Sequence, residues 1–125
     1  MADGTLVSSG SSGSMPTGSG SERLCRASIS TLNGEYQEIL SGTAGHIYTI
    51  ISIIFCDAQD AAGTIAIRVN NGSNDIALLK SQSHSALETF VWNDKFVIEE
   101  DDDIDVYNSV TAGHWWITYI DQNWV

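Results

Sequence analysis

Basic residues are scarce: the 125-residue chain has 5 Lys+Arg against 16 Asp+Glu, a formal charge of −11. A body of this charge repels phosphate backbones, which works against any grip on DNA or RNA through a basic surface. Proline occurs once, as Pro16, and cysteine twice, as Cys25 and Cys56. Two cysteines are too few for a disulfide-stapled fold and have no metal-ligand spacing; one bridge within a chain, one across chains, or none all stay open. No apolar run approaches the roughly 18 residues of a membrane helix. The first 20 residues also lack the basic start and apolar run of a secretory signal, so a soluble protein not exported by that route is expected. No segment has a convincing helical period.

Residues 1–21 hold 7 Ser, 5 Gly and no aromatic residue. Such a segment buries too little apolar area to offset its ordering entropy, so it reads as an arm that orders only on a partner. Charge divides in the same place: residues 1–26 sum to zero, and residues 27–125 carry all of the −11. The expected organisation is an extended Gly/Ser-rich N-terminal arm over 1–24 and one folded domain over 25–125.

From Cys25 onward, 14 Ile and 6 Val stand against 5 Leu, a β-branched bias that favours strands. Short strands are predicted over 26–31, 35–40, 46–56, 64–69, 76–80, 86–91, 95–98, 104–108 and 115–120. Between them lie turn signals at Asn33-Gly34, Gly42 with Gly45, Asp60 to Gly63, Asn71-Gly72, Asn93-Asp94, Glu99 to Asp103 and Ala112-Gly113. This punctuation predicts an all-β fold, an antiparallel β-sandwich of jelly-roll or Greek-key type, with a small closed barrel as the alternative. Two strands carry more apolar surface than one core uses. In 46–56, Ile47, Ile51, Ile53 and Phe55 oppose Tyr48, Ile50 and Ile54, which a strand packed on both sides or an interface explains equally. In the last strand Trp115 and Trp116 take opposite faces, so one tryptophan is left outside as a subunit or ligand contact.

The run Glu99, Glu100, Asp101, Asp102, Asp103, Asp105 raises a calcium reading, with Asp101, Asp102, Asp103 and Asp105 as candidate ligands. Its spacing does not fit an EF-hand loop, and the simpler reading is a solvated hairpin turn. The string Thr-Ala-Gly-His occurs at 43–46 and 111–114, placing His46 and His114 at equivalent strand starts. With His84 they are too scattered in sequence for a zinc motif. No nucleophile signature is present, and Glu88, Asp94 and Glu99 are the carboxylates that could meet for glycoside hydrolysis. Asn71-Gly72-Ser73 has the form of a glycosylation sequon but reads as a hairpin turn.

From Gly42 to Ile120 the chain resembles the small β-sandwich virion structural proteins of tailed bacteriophages, a family of capsid decoration (cement) and tail- or neck-associated subunits. The resemblance is carried by Ala44 to Ile53, by Thr64 to Val69, by Ile76 to Lys80, by Ser85 to Glu88, by Phe96 to Ile104 and by Trp116 to Ile120. In that family the later turn usually holds a glycine before the aspartate, where this chain has Asp101. The resemblance implies a non-enzymatic protein of the virion, without a cofactor and often trimeric, whose extended terminus reaches neighbouring subunits. It is expected to be a cement protein that meets the major capsid protein or neighbouring virion proteins through its arm, with Arg23 and Arg26 on the shell. Tyr48, Trp115 and Trp116 are the expected contacts between copies of a homotrimer. Within the class, a neck, collar, tail or fibre subunit is the alternative. From another class comes a virion-surface carbohydrate-binding module, in which Trp92, Trp115, Trp116 and Trp124 form a stacking platform. An enzyme is the third and most distant reading, and neither nucleic acid nor membrane is an expected partner.

Overall fold

A computed structural model describes residues 21–31 and 34–124. Nine strands lie within them: β1 (Ser21–Thr31), β2 (Tyr36–Ser41), β3 (His46–Asp57), β4 (Gly63–Asn70), β5 (Asp75–His84), β6 (Thr89–Trp92), β7 (Phe96–Ile98), β8 (Asp103–Asn108) and β9 (Gly113–Asn123). All pairings are antiparallel and the described residues include no helix. The first sheet has the order β1-β9-β3-β6, with β7 also on β3, and the second has the order β2-β8-β4-β5. The chain is thus all-β, with two antiparallel sheets facing each other across a core in the manner of a sandwich. Residues 1–20 of the expected arm lie outside the described residues. Residues 21–24, read from sequence as its end, are instead the first part of β1, which pairs with β9 from Ser21↔Asn123 to Thr31↔Gly113.

The core is built from the inward faces of both sheets. Ile50, Ile53, Phe55, Trp115 and Ile117 come from the first, and Ile65, Ile67, Ile104 and Val106 from the second. The strand β3 does not keep one phase. Tyr48 and Ile50 point inward, a bulge between Ile50 and Ser52 absorbs one residue, and Ile53 and Phe55 then take over the inward face. An extra residue exchanges the faces of everything beyond it. The two apolar faces expected for this strand are therefore regrouped: Ile53 and Phe55 join Tyr48 and Ile50, while Ile47 and Ile54 lie outward.

A buried polar cluster joins the layers. Asn108 accepts from the Thr31 hydroxyl and from Trp115 Nε1 (3.4 Å), and its Nδ2 donates to Val110 O (2.8 Å). Thus β1, β8 and β9 meet at one satisfied amide. At the other end of β9, His46 Nδ1 lies 2.7 Å from Asp121 Oδ1.

Asp57 ends β3 and is buried. Its carboxylate accepts the backbone N–H groups of Gln59 (2.9 Å), Ala61 (3.0 Å) and Leu87 (2.8 Å), tying the β3–β4 loop to the β5–β6 turn. Burial alone would raise its pKa, but these three donors together with nearby His84 outweigh it and hold the carboxyl below its ordinary value. A folded-state pKa below the unfolded one gives stability that is complete above the unfolded value, near 3.9, and is lost as pH falls through the folded value. Asp57→Asn should therefore melt lower than wild type at neutral pH, with the gap closing below about pH 4. Thermal melting of both proteins across that range checks it; a gap independent of pH would overturn the assignment.

Turn chemistry follows the sequence signals. Gly72 has φ +90, with Asn71 Oδ1 accepting from the N–H groups of Ser73 and Asn74, an Asx-type closure of the β4–β5 hairpin. The repeated Thr-Ala-Gly-His strings do not share a geometry. Gly45 has φ +78 whereas Gly113 is not left-handed, and His46 takes the inward face while His114 takes the outward one. Asp101 is also outside the left-handed region, so the acidic turn closes without the glycine that the resemblance implies there.

Candidate functional site: an uncharged sheet face

The outward surfaces of the two sheets differ in kind. On the second sheet, Glu38, Asp103, Asp105 and Arg68 stand on neighbouring strands, with Arg68 Nε 3.2 Å from Asp105 and its guanidinium over the Tyr36 ring at 3.7 Å. Burial and then the charges of Asp103 and Asp105 push the Glu38 carboxyl above its usual range. On the first sheet, the charged outward side chains among the described residues are Glu22 and Arg26, both on the edge strand β1.

The rest of that face is apolar or neutral and is arranged in cross-strand rows. One row runs Leu24–Ile120–Thr49–Val97 across β1, β9, β3 and β7. Another runs Ser28–Trp116–Ile54–Val91 across β1, β9, β3 and β6. Leu24 is 70% exposed, Val97 54%, Val91 51% and Trp116 40%. Arg26 lies over the Trp116 ring at 4.7 Å and holds it against β1. Beside Trp116 is an open groove of about 440 Å³ lined by Ser28, Ser30, Ile54, Cys56 and His114. Exposed apolar side chains grouped in this way on an otherwise acidic protein are of the kind found at contact surfaces.

Several expected site residues fall elsewhere. Trp115 is a core side chain, 2% exposed, with its ring 4.9 Å from Phe55; β9 turns its odd positions inward because Ile117 and Gly113 pack there too. Tyr48 is likewise buried on the inward face, its hydroxyl 2.7 Å from Thr43 Oγ1. Both corrections leave Trp116 as the expected contact residue that stands on the surface. Arg23 is exposed and reaches back to Asp121 at 3.7 Å, while Arg26 sits on Trp116.

The acidic run is spread along a turn and a strand, and each carboxylate that the structure partners has a protein donor. Asp102 accepts from Glu99 N–H (2.9 Å), Asp103 from Ser41 Oγ (2.6 Å) and Asp105 from Arg68. Asp101 is exposed, and the described residues contain no cluster of His, Cys, Asp or Glu that could hold a metal ion. Glu88 adjoins Asp57 and Glu99 adjoins Gly42, at opposite ends of β3, too far apart for the paired carboxylates of glycoside hydrolysis. The tryptophans do not form one platform. Trp115 is in the core, Trp92 packs inward, Trp116 faces out and Trp124 lies beyond β9.

Cys25 lies on the inward face of β1 opposite Tyr119, and Cys56 on the outward face of β3 opposite His114. Opposite faces of one sheet, five β9 residues apart, rule out a bridge within a chain. Burial pushes the Cys25 thiol above its ordinary pKa, so it stays protonated at neutral pH.

No protein-family model matches the chain, and no curated protein matches it either.

Proposed function

We propose that the chain is a non-enzymatic structural protein of a phage virion, a capsid decoration (cement) protein of jelly-roll type. It binds the outer shell through its N-terminal arm and associates with itself. The observation that carries this reading is the division of the molecule into an acidic body and one outer sheet face whose charged side chains, Glu22 and Arg26, cancel and whose exposed large side chains are apolar. That is the surface of a subunit built to sit in an assembly. The strand orders β1-β9-β3-β6 and β2-β8-β4-β5 support the jelly-roll assignment, since two facing four-strand paths are the arrangement of that fold, with β7 here added to β3 of the first sheet. Residues 1–20, whose one charged side chain is Asp3, lead directly into β1 beside Arg23 and Arg26, where a low-charge arm meets a shell with little Coulomb penalty.

Cosedimentation with undecorated capsid shells of the phage that encodes the chain tests this reading. The full chain is expected to pellet with the shells. The chain lacking residues 1–20, which keeps every described strand, is expected to stay folded and remain in the supernatant. Failure of the full chain to pellet, or undiminished binding by the shortened one, would overturn it.

A further inference from the structure

We infer that the outward face of the β1-β9-β3-β6/β7 sheet is where a second copy of this chain packs its own identical face, giving a back-to-back pair about a two-fold axis parallel to the strands. This rests on the assembly reading above, names the surface and the residues of self-association, and puts a two-fold pair in place of the homotrimer expected from the resemblance.

Charge selects the occupant. Each copy has a formal charge of −11, so two copies repel over most of their surfaces. A basic partner would be drawn to the carboxylates of the other sheet. A like-charged copy, by contrast, approaches best where unbalanced acids are missing, and this face carries Glu22 balanced by Arg26 on β1 and Asp94 balanced by Lys95 on the β6–β7 link, both pairs at the rim. Area agrees. Four strands at about 4.8 Å spacing and about ten residues at 3.4 Å give a face of about 19 by 34 Å. With side-chain relief, that is close to the roughly 800 Å² per partner of a stable complex.

The rows fix the axis. A two-fold axis across the strands would bring Arg26 of one copy against Arg26 of the other. An axis along the strands instead lays β9 of one copy over β3 of the second and β1 over β6 and β7. Each row then meets itself reversed. Trp116, with Arg26 on its ring, comes over Ile54 of the second copy at the edge of the open groove, and Leu24 comes over Val97. Arg26 comes over the 93–95 link, which holds Asp94 and Lys95. A partly exposed tryptophan near the middle of an interface is a common energetic anchor. Sheets packed face to face in this aligned way lie about 10 Å apart.

The test is a charge swap read by sedimentation equilibrium on the full chain. Leu24 and Val97 are three strand spacings apart within one copy, about 14 Å, so they cannot compensate each other intramolecularly. Wild type is expected to sediment as two chains. Leu24→Glu and Val97→Lys should each weaken pairing about thirtyfold or more, and the double variant should recover most of it. Trp116→Lys, with no compensating change, should remain a single chain with its fold intact. A single-chain or three-chain wild type, or a double variant as dissociated as its parents, would overturn the inference. Pelleting with shells is scored separately: a wild-type pair that ignores shells overturns the cement reading alone, and shell binding by a wild-type single chain overturns the pairing alone.

Discussion

Replacing Trp115 with alanine should lower folding stability by about 3–5 kcal/mol, the range for a fully buried aromatic, because the site has little freedom to collapse. The strand that carries Trp115 is hydrogen-bonded on both sides, to β1 and to β3, so the backbone cannot close over the space. Phe55 loses its ring partner, and Asn108 loses the indole N–H from the cluster that joins the layers. For a domain of this size the melting temperature should fall by about 12 °C or more. Chemical denaturation, with sedimentation run beside it, checks the result. A variant that melted like wild type but dissociated would return Trp115 to the surface role first expected of it. Trp116→Ala gives the contrasting outcome, a small change in melting and a large one in association.

Gly42→Ala should cost about 3 kcal/mol or more, although the residue lies outside every strand. A Cβ at Gly42 would stand 1.9 Å from the carbonyl oxygen of Glu99 and 2.7 Å from its carbonyl carbon. These are backbone atoms of a turn pinned by Gly42 N–H to Asp102 O (2.7 Å) and Asp102 N–H to Glu99 O (3.0 Å). No rotamer change relieves such a contact, so the turn must lift off the β2–β3 loop. Gly34→Ala is the control for crowding, since its Cβ position is open and the left-handed φ of +85 is the sole source of strain. A Gly42→Ala protein no less stable than the Gly34→Ala one would show that the turn moves freely. The same close approach belongs to a set of backbone hydrogen bonds and short side-chain contacts that hold the acidic run in its turn.

Strand identity was legible because it is written locally, in β-branched runs separated by Asn-Gly, Gly and Asp signals. Each of the nine predicted strands corresponds to one of β1 to β9. What was not legible depends on contacts far apart in sequence. Residues 21–24 read as arm because polar Ser and Glu give no strand signal, yet β9 supplies a partner for each of them. Alternation in β3 predicted two competing apolar faces, and a bulge after Ile50, for which period-2 reasoning has no symbol, merged them. For Trp115 and Trp116 the alternation stated that one faces out but not which; Asn108 and Phe55, from other strands, decide it. Tyr48 went inward for the same reason. The uncharged face itself was invisible beforehand, since Leu24, Ile54, Val91, Val97 and Trp116 become neighbours only through the strand order.

The pairing of Ser21 with Asn123 sets both ends of the described chain at one corner of the molecule. If residues 1–20 bind a partner as proposed, force would enter the domain there, along a strand matched to its neighbour through eleven register pairs. A pull parallel to β1 loads all of those rungs together in shear, which is the strong direction of an antiparallel ladder. A pull at right angles would instead open them one at a time from Asn123. The geometry of attachment, more than the number of bonds, therefore sets how much tension this small domain transmits before it gives way.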